Sequence, residues 1–334
     1  EVCKRQNFKS ILFAVAMLES GQFVASMKYS YPMLLCLLAL VACAPTSQEQ
    51  PSDNLDSTAA QSPQSFSQTG GISATGDLES YPEPQEDLQS LLQQLFAAKN
   101  PDYNGNAQFQ MREGVPFAIS LAGTGIKDIS MLEGIPLMAL DLSDNPISDL
   151  SALKGMPLRE LFLEKTRVTD ISPIAGAPLM QIFLNETRIS SIKALKGMPL
   201  KNIYLPDTRV RDLSPLAGMS SLQGLWLNNS PVENIEPLRG LPLITLTLRG
   251  TNVKDLSPLA AVPTLQRLHL VETRVTDLTP VTQLRLTRLL FTPSRIKQGM
   301  DLVRLMPSLR EIGDSLEGKL PPAQFWVQYD SSLK

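Results

Sequence analysis

One short motif returns along this chain at a spacing of 21 or 22 residues, and no other feature limits its fold so severely. Leu137, Leu140 and Leu142 begin the series, followed by Leu158, Leu161 and Leu163 and by Leu179, Ile182 and Leu184. It continues through Leu200, Ile203 and Leu205, Leu222, Leu225 and Leu227, and Leu243, Leu246 and Leu248. Leu265, Leu268 and Leu270 and then Leu286, Leu289 and Phe291 end it, with a degenerate first copy around Ile119 and Leu121. A unit this short cannot bury a core alone. Units that stack side by side merge their apolar faces into one, so the period demands an elongated coil of repeats. Side chains alternate along a strand, so Leu140 and Leu142 face inward and Asp141 faces out.

The residues between strands repeat as well. A Thr recurs after the strand at Thr166, Thr187, Thr208, Thr251 and Thr273. Asp255, Leu256, Ser257, Pro258 and Leu259 typify the segment behind it, with Ser257 suited to an N-cap and Pro258 to the first helical position. A single 3₁₀ or α turn is expected there. Asp128, Asp149, Asp170, Asp212, Asp255 and Asp277 recur once per unit. One carboxylate per coil falls short of the roughly six to eight oxygens that Ca²⁺ takes, so these aspartates are expected to cap turns. Across Pro116 to Ile312 the units resemble the short bacterial leucine-rich repeats of the internalin type. The resemblance implies an α/β solenoid: a leucine-rich-repeat horseshoe of about nine coils, with a parallel concave sheet, short 3₁₀ or α turns on the convex side, and helical caps. It also places the recurrent Thr where this family often has Asn, with hydroxyls that satisfy backbone groups inside the coil.

Either side of the repeats the character changes. Glu86–Ala98 carries Leu88, Leu91, Leu92, Leu95 and Phe96 at helical spacing, so 86–115 is read as an N-terminal helical cap. Gln298–Met306 is expected to be a longer helix, and 313–334 a C-terminal cap in which Phe325 and Trp326 cover the last coil. Upstream, Met27 opens a segment with Lys28 as its positive charge and an apolar run from Pro32 to Val41, the pattern of a secretory signal over 27–42. It ends in Leu40, Val41, Ala42 and Cys43, which resembles a bacterial lipobox. By that resemblance Cys43 would be lipidated and become the new N-terminus, anchored by several acyl chains. Residues 1–26 are read as an over-extended N-terminus. From Ala44 to Gln89 there are eight acidic residues and no Lys or Arg, amid Ser, Gln, Pro and Thr. Residues 43–85 are therefore read as a disordered tether with an end-to-end distance of roughly 35–40 Å. Ala44, rather than Asp, follows the cysteine, which by the sorting rules of such lipoproteins implies the outer membrane of the cell envelope.

Outward-facing positions define where a ligand would sit. The column between the two core leucines reads Ser120, Asp141, Phe162, Phe183, Tyr204, Trp226, Thr247, His269 and Leu290. Four successive aromatics on adjacent strands suggest an exposed strip, able to grip a protein or peptide, to stack on sugar rings, or only to stabilise the sheet. Two residues earlier lie Glu160, Gln181, Asn202, Gly224, Thr245, Arg267 and Arg288, also expected to be exposed. Two residues later come Glu164, Asn185, Pro206, Asn228 and Arg249. Candidate binding residues are thus Phe162, Phe183, Tyr204, Trp226, His269, Glu160, Glu164, Arg267 and Arg288. Beyond the strands, Arg167, Arg188, Arg209, Arg274 and Arg295 form a flank column, with Glu164, Glu186, Asp207 and Glu272 as nearby counter-charges.

Composition narrows the chemistry. Three cysteines, none after Cys43, exclude a disulfide framework in the repeats, and a single histidine, His269, excludes a His-pair metal site. A net charge of −3 gives no nucleic-acid footprint. No nucleophile elbow or Walker loop is found. No catalytic residue, metal or cofactor is assigned. The expectation is a non-catalytic, membrane-tethered module for protein or peptide recognition, with cell-wall glycan binding or an intracellular leucine-rich-repeat scaffold as the alternatives.

Overall fold

The computed structural model describes residues 87–333. Helix α1 (Leu88–Lys99) starts where Asp87 Oδ1 accepts the Ser90 N–H at 2.6 Å, and it buries Leu92 and Phe96. It ends at the buried Asn100, whose Oδ1 accepts the N–H groups of Lys127 at 2.8 Å and Asp128 at 2.7 Å. The remainder of the N-terminal cap departs from the helical expectation. Strand β1 (Gln108–Arg112) pairs antiparallel with β2 (Val115–Ser120) through a tight turn at Glu113 and Gly114, both at positive φ. A strand gives the exposed edge of β2 the backbone partners that a helix cannot supply.

Nine further strands follow in parallel, each in register with the last. They are β3 (Ala139–Asp141), β4 (Glu160–Phe162), β5 (Gln181–Phe183), β6 (Asn202–Tyr204), β7 (Gly224–Trp226), β8 (Thr245–Thr247), β9 (Arg267–His269), β10 (Arg288–Leu290) and β11 (Glu311–Gly313). The central residues Leu140, Leu161, Ile182, Ile203, Leu225, Leu246, Leu268 and Leu289 are at most 1% exposed and belong to one core that runs the length of the array. Each such burial contributes about 1.5–3 kcal/mol.

Short 3₁₀ turns form the back, from Ser130–Leu132 to Thr279–Val281. Their caps differ from the expectation that Ser257 serves as N-cap. Ser257 is the first residue of its turn, and Asp255 does the capping, with Oδ1 accepting the Ser257 N–H and Oδ2 its hydroxyl, both at 2.8 Å. Asp128, Asp149, Asp170, Asp212 and Asp277 accept the equivalent N–H two residues on. A carboxylate can reach that distance while a serine hydroxyl cannot bond its own amide. After the turn the chain reverses at Gly134, Gly155, Gly176, Gly197, Gly218 and Gly240, with φ between 74° and 79°. That conformation explains the recurrent glycine.

The five threonines act as the resemblance implied. Each hydroxyl donates to a carbonyl three residues back, at 2.6–2.9 Å. Thr187→Val, which keeps the shape but removes the donor to Leu184 O, should cost about 1 kcal/mol in urea unfolding. An unchanged midpoint would make the hydroxyl dispensable.

At the far end, α2 (Met300–Arg304) is shorter than Gln298–Met306, because Gly299 at φ 88° precedes it and Pro307 follows closely. Helix α3 (Pro322–Ser332) closes the last coil with Phe325 and Trp326, 7% and 8% exposed. Phe325 meets Phe291 edge-on at 6.0 Å, and the Arg304 guanidinium lies 4.6 Å from the Trp326 ring.

Candidate functional site

In-register pairing turns strand alternation into columns. Phe162 opposes Phe183, Phe183 opposes Tyr204, and Tyr204 opposes Trp226. Their ring centroids are 4.4, 4.1 and 4.1 Å apart, with interplanar angles of 11°, 9° and 11°. Strands lie about 4.8 Å apart, so like rotamers on neighbouring strands come into face contact. The strip expected to be exposed is therefore also a stack, the sheet-stabilising ladder that was its alternative. Both faces of Phe183 and Tyr204 are covered by neighbouring rings, and Phe162 is buried against Ala118 and Ala139. Phe183, Tyr204 and Trp226 remain half-buried. Beneath the last ring is Gly224, where a Cβ would overlap the indole of Trp226 and Asn202 Oδ1. Sequence reasoning placed Gly224 in its column but saw no reason for it; a glycine two residues before a tryptophan on the same strand face was the available signal.

The preceding column is less open than expected. Glu160, Gln181 and Thr245 are buried, at 7%, 8% and 9%, whereas Arg267 is exposed and Arg288 half-buried. Gln181 Nε2 donates to Glu160 Oε1 at 3.3 Å, and Asn202 Nδ2 to Gln181 Oε1 at 3.4 Å. Burial pushes the Glu160 carboxyl up to about 7, with the Gln181 bond opposing it. Burial also raises Asp141, against hydrogen bonds from Ser143 and Ser120. Glu164 accepts a hydrogen bond from Asn185. The Tyr204 hydroxyl is pushed up to about 12 by burial and by the nearby Glu164 charge.

Towards the C-terminal coils the sign reverses. Arg249 pairs with Glu272 at 3.1 Å, Arg288 pairs with Glu311, and Arg267 Nε donates to Thr245 Oγ1 at 2.9 Å. His269 is 8% exposed, and burial followed by the Arg249 charge holds its imidazole down at about 4. Several buried polar atoms on this face lack a hydrogen-bond partner among the described residues: Glu160 Oε2, Asn185 Oδ1, Tyr204 Oη, Asn228 Oδ1, Thr247 Oγ1 and His269 Nε2. Such atoms are uncommon in folded proteins and each calls for an explanation.

On the flank, Asp207 accepts from Asn229 at 2.9 Å and Glu272 is taken by Arg249, so these two carboxylates are engaged away from Arg209 and Arg274. Arg295 Nη1 donates to the Thr273 carbonyl at 2.7 Å. No group of three His, Cys, Asp or Glu among the described residues is placed to hold a metal ion. Cys43, with the expected signal segment and tether, lies outside the described residues.

The ordered parallel sheet, the 3₁₀ backs and the stacked leucine core define a leucine-rich-repeat protein. Among solved structures, an internalin (InlF) from Listeria monocytogenes is similar at 26% identity and a TM-score of 0.52, over 60% of this chain and 66% of that one. Internalin C2 from the same organism has 33% identity and a TM-score of 0.49, over 50% of this chain and 76% of that one. The Arabidopsis receptor kinase HAESA, in complex with the peptide hormone IDA and the co-receptor SERK1, has 18% identity and a TM-score of 0.45, over 57% and 40%. This chain thus spans just under two thirds of the InlF structure. No protein-family profile matches the sequence, and no curated protein is similar to it.

Proposed function

We propose that this chain is a non-catalytic binding module that holds a protein or peptide along its concave face, tethered to the cell envelope through a lipid on Cys43. The observation that carries the first half is the half-buried aromatic stack of Phe183, Tyr204 and Trp226, flanked by polar atoms without partners among the described residues. Pre-stacked rings lose little entropy on binding and offer apolar edges, while the flanking groups gain hydrogen bonds only when a ligand arrives. A peptide backbone supplies both complements. Sugar stacking is the weaker reading, since it uses open ring faces and those of Phe183 and Tyr204 are already covered. The second half rests on the order of charge, apolar run, lipobox and polar continuation around Cys43.

Two experiments separate the halves. Trp226→Ala and Tyr204→Ala should each weaken capture of the envelope partner by about tenfold or more, with an unchanged far-ultraviolet spectrum. Full affinity in both variants would remove the aromatic stack from the site. Expression in a bacterial host, read by intact mass and fractionation, should give an acylated species in the membrane fraction that Cys43→Ala moves to the soluble one. If both forms are soluble and unprocessed, the intracellular scaffold becomes the better reading.

A further inference from the structure

The C-terminal half of the same face offers a distinct chemistry. Arg249, Arg267 and Arg288 come from three consecutive coils, but only Arg249 and Arg288 form ion pairs, with Glu272 and Glu311; Lys319 also pairs with Glu311. Arg267 is exposed and forms no ion pair with another described residue; its bond from Nε to Thr245 Oγ1, 2.9 Å long, fixes the guanidinium and leaves the terminal nitrogens for a ligand. Two residues along β9, His269 is almost fully buried and its Nε2 has no partner among the described residues. Directly across on β8, in register with His269, Thr247 has a buried hydroxyl that also lacks one. Left unmet, each such group keeps an uncompensated desolvation penalty. The charges facing His269 are those of Arg249, Arg288 and Glu272, with Arg267 on its own strand, and the imidazole itself is neutral at neutral pH.

We infer that Arg267, Thr247 and His269 form a carboxylate-binding subsite, and that the ligand is a peptide whose carboxylate lies about three residues beyond an apolar residue packed on Trp226. The inference rests on the concave-face reading above. A guanidinium fork takes both oxygens of a carboxylate, while the Thr247 hydroxyl and a protonated Nε2 donate to the remaining lone pairs. One unpaired cation beside two neutral donors matches a singly charged group better than a doubly charged phosphate. Trp226 on β7 is in register with His269 on β9, two strand spacings away, and Arg267 is two residues from His269 along β9, so the two positions are about 12 Å apart. Extended chain covers that span in about three residues. The carboxylate is that of a chain terminus or of an Asp or Glu side chain.

His269 is the single histidine of the chain, so its imidazole C–H resonance is read by NMR without assignment in the full protein. At neutral pH, acetate should shift that resonance saturably where chloride at equal ionic strength does not, and Arg267→Gln should abolish the shift. No saturable shift in the wild type overturns the subsite. Three probes then locate the carboxylate: acetyl-Leu-Gly-Gly with a free terminus, the same peptide as its amide, and acetyl-Leu-Gly-Gly-Asp amide. Tighter binding of the first than of the second assigns a chain terminus; tighter binding of the third assigns a side chain. In either case Arg267→Gln should weaken binding about tenfold or more. Binding that depends on Trp226 but not on Arg267 overturns the subsite alone, and the reverse pattern overturns the aromatic site alone.

Discussion

Glu160→Gln should stabilise the protein by about 3 kcal/mol at about pH 8 and leave it nearly unchanged at about pH 4. Glu160 is 7% exposed, and its carboxyl titrates at about 7 instead of 4.5. The folded state therefore holds this proton more tightly than the unfolded state. Stability falls as pH rises from the unfolded value through the folded one, so the penalty is absent below about 4.5 and complete above about 7. Other groups act in the opposite direction. The hydrogen-bonded Asp170 and Asp212 are held below their ordinary value, so their stabilisation is lost on acidification. His269, held at about 4, adds stability as pH rises towards its unfolded value. The wild-type profile alone mixes these contributions. The wild-type-minus-variant difference, from urea unfolding at a series of pH values, isolates Glu160. A flat difference would mean that the carboxylate is solvated or paired when charged.

Leu225→Ala should be the most damaging single truncation considered, at about 3–5 kcal/mol. Leu225 is fully buried at the centre of β7, midway along the array. Each coil touches mainly its neighbours, so a cavity there weakens the coupling between the two halves as well as the local coil. The two tryptophans report on different places: Trp226 beside the cavity and Trp326 in the C-terminal cap. Their unfolding curves should coincide in the wild type and separate in the variant, with Trp226 changing at lower denaturant. A loss below about 1 kcal/mol with coincident curves would show that the coil collapses to fill the space.

Much of this architecture is local in origin and so could be read from the chain. The spacing of Leu161, Ile182 and Ile203 is set by the length of one coil, and strand alternation follows from backbone geometry. Together they place Phe162, Phe183, Tyr204 and Trp226 in one column on the sequence alone. The turn aspartates are legible for the same reason and Asp255 caps its turn as expected, while Ser257 is the residue capped and not the cap. Other features carry no residue signature. Lys165 and Glu186 occupy left-handed turns at φ 55° and 56°, conformations that side chains of those types do not advertise. Strand β1 falls within the segment expected to be a helical cap; the hairpin turn at Glu113 and Gly114 is a local signal, but the strand is held by the exposed edge of β2 that it covers.

The sequence by itself thus determined the repeat, the inward and outward positions and the order of the coils, since each depends on contacts within one or two turns of chain. Only the tertiary structure decided how open the outward face is. Stacking of Phe183 between Phe162 and Tyr204, burial of Glu160 and isolation of the Arg267 guanidinium depend on rotamers and partners contributed by neighbouring coils. Exposure is a property of side chains packed together, and a column of letters records which residues are neighbours but not which of their atoms water can reach.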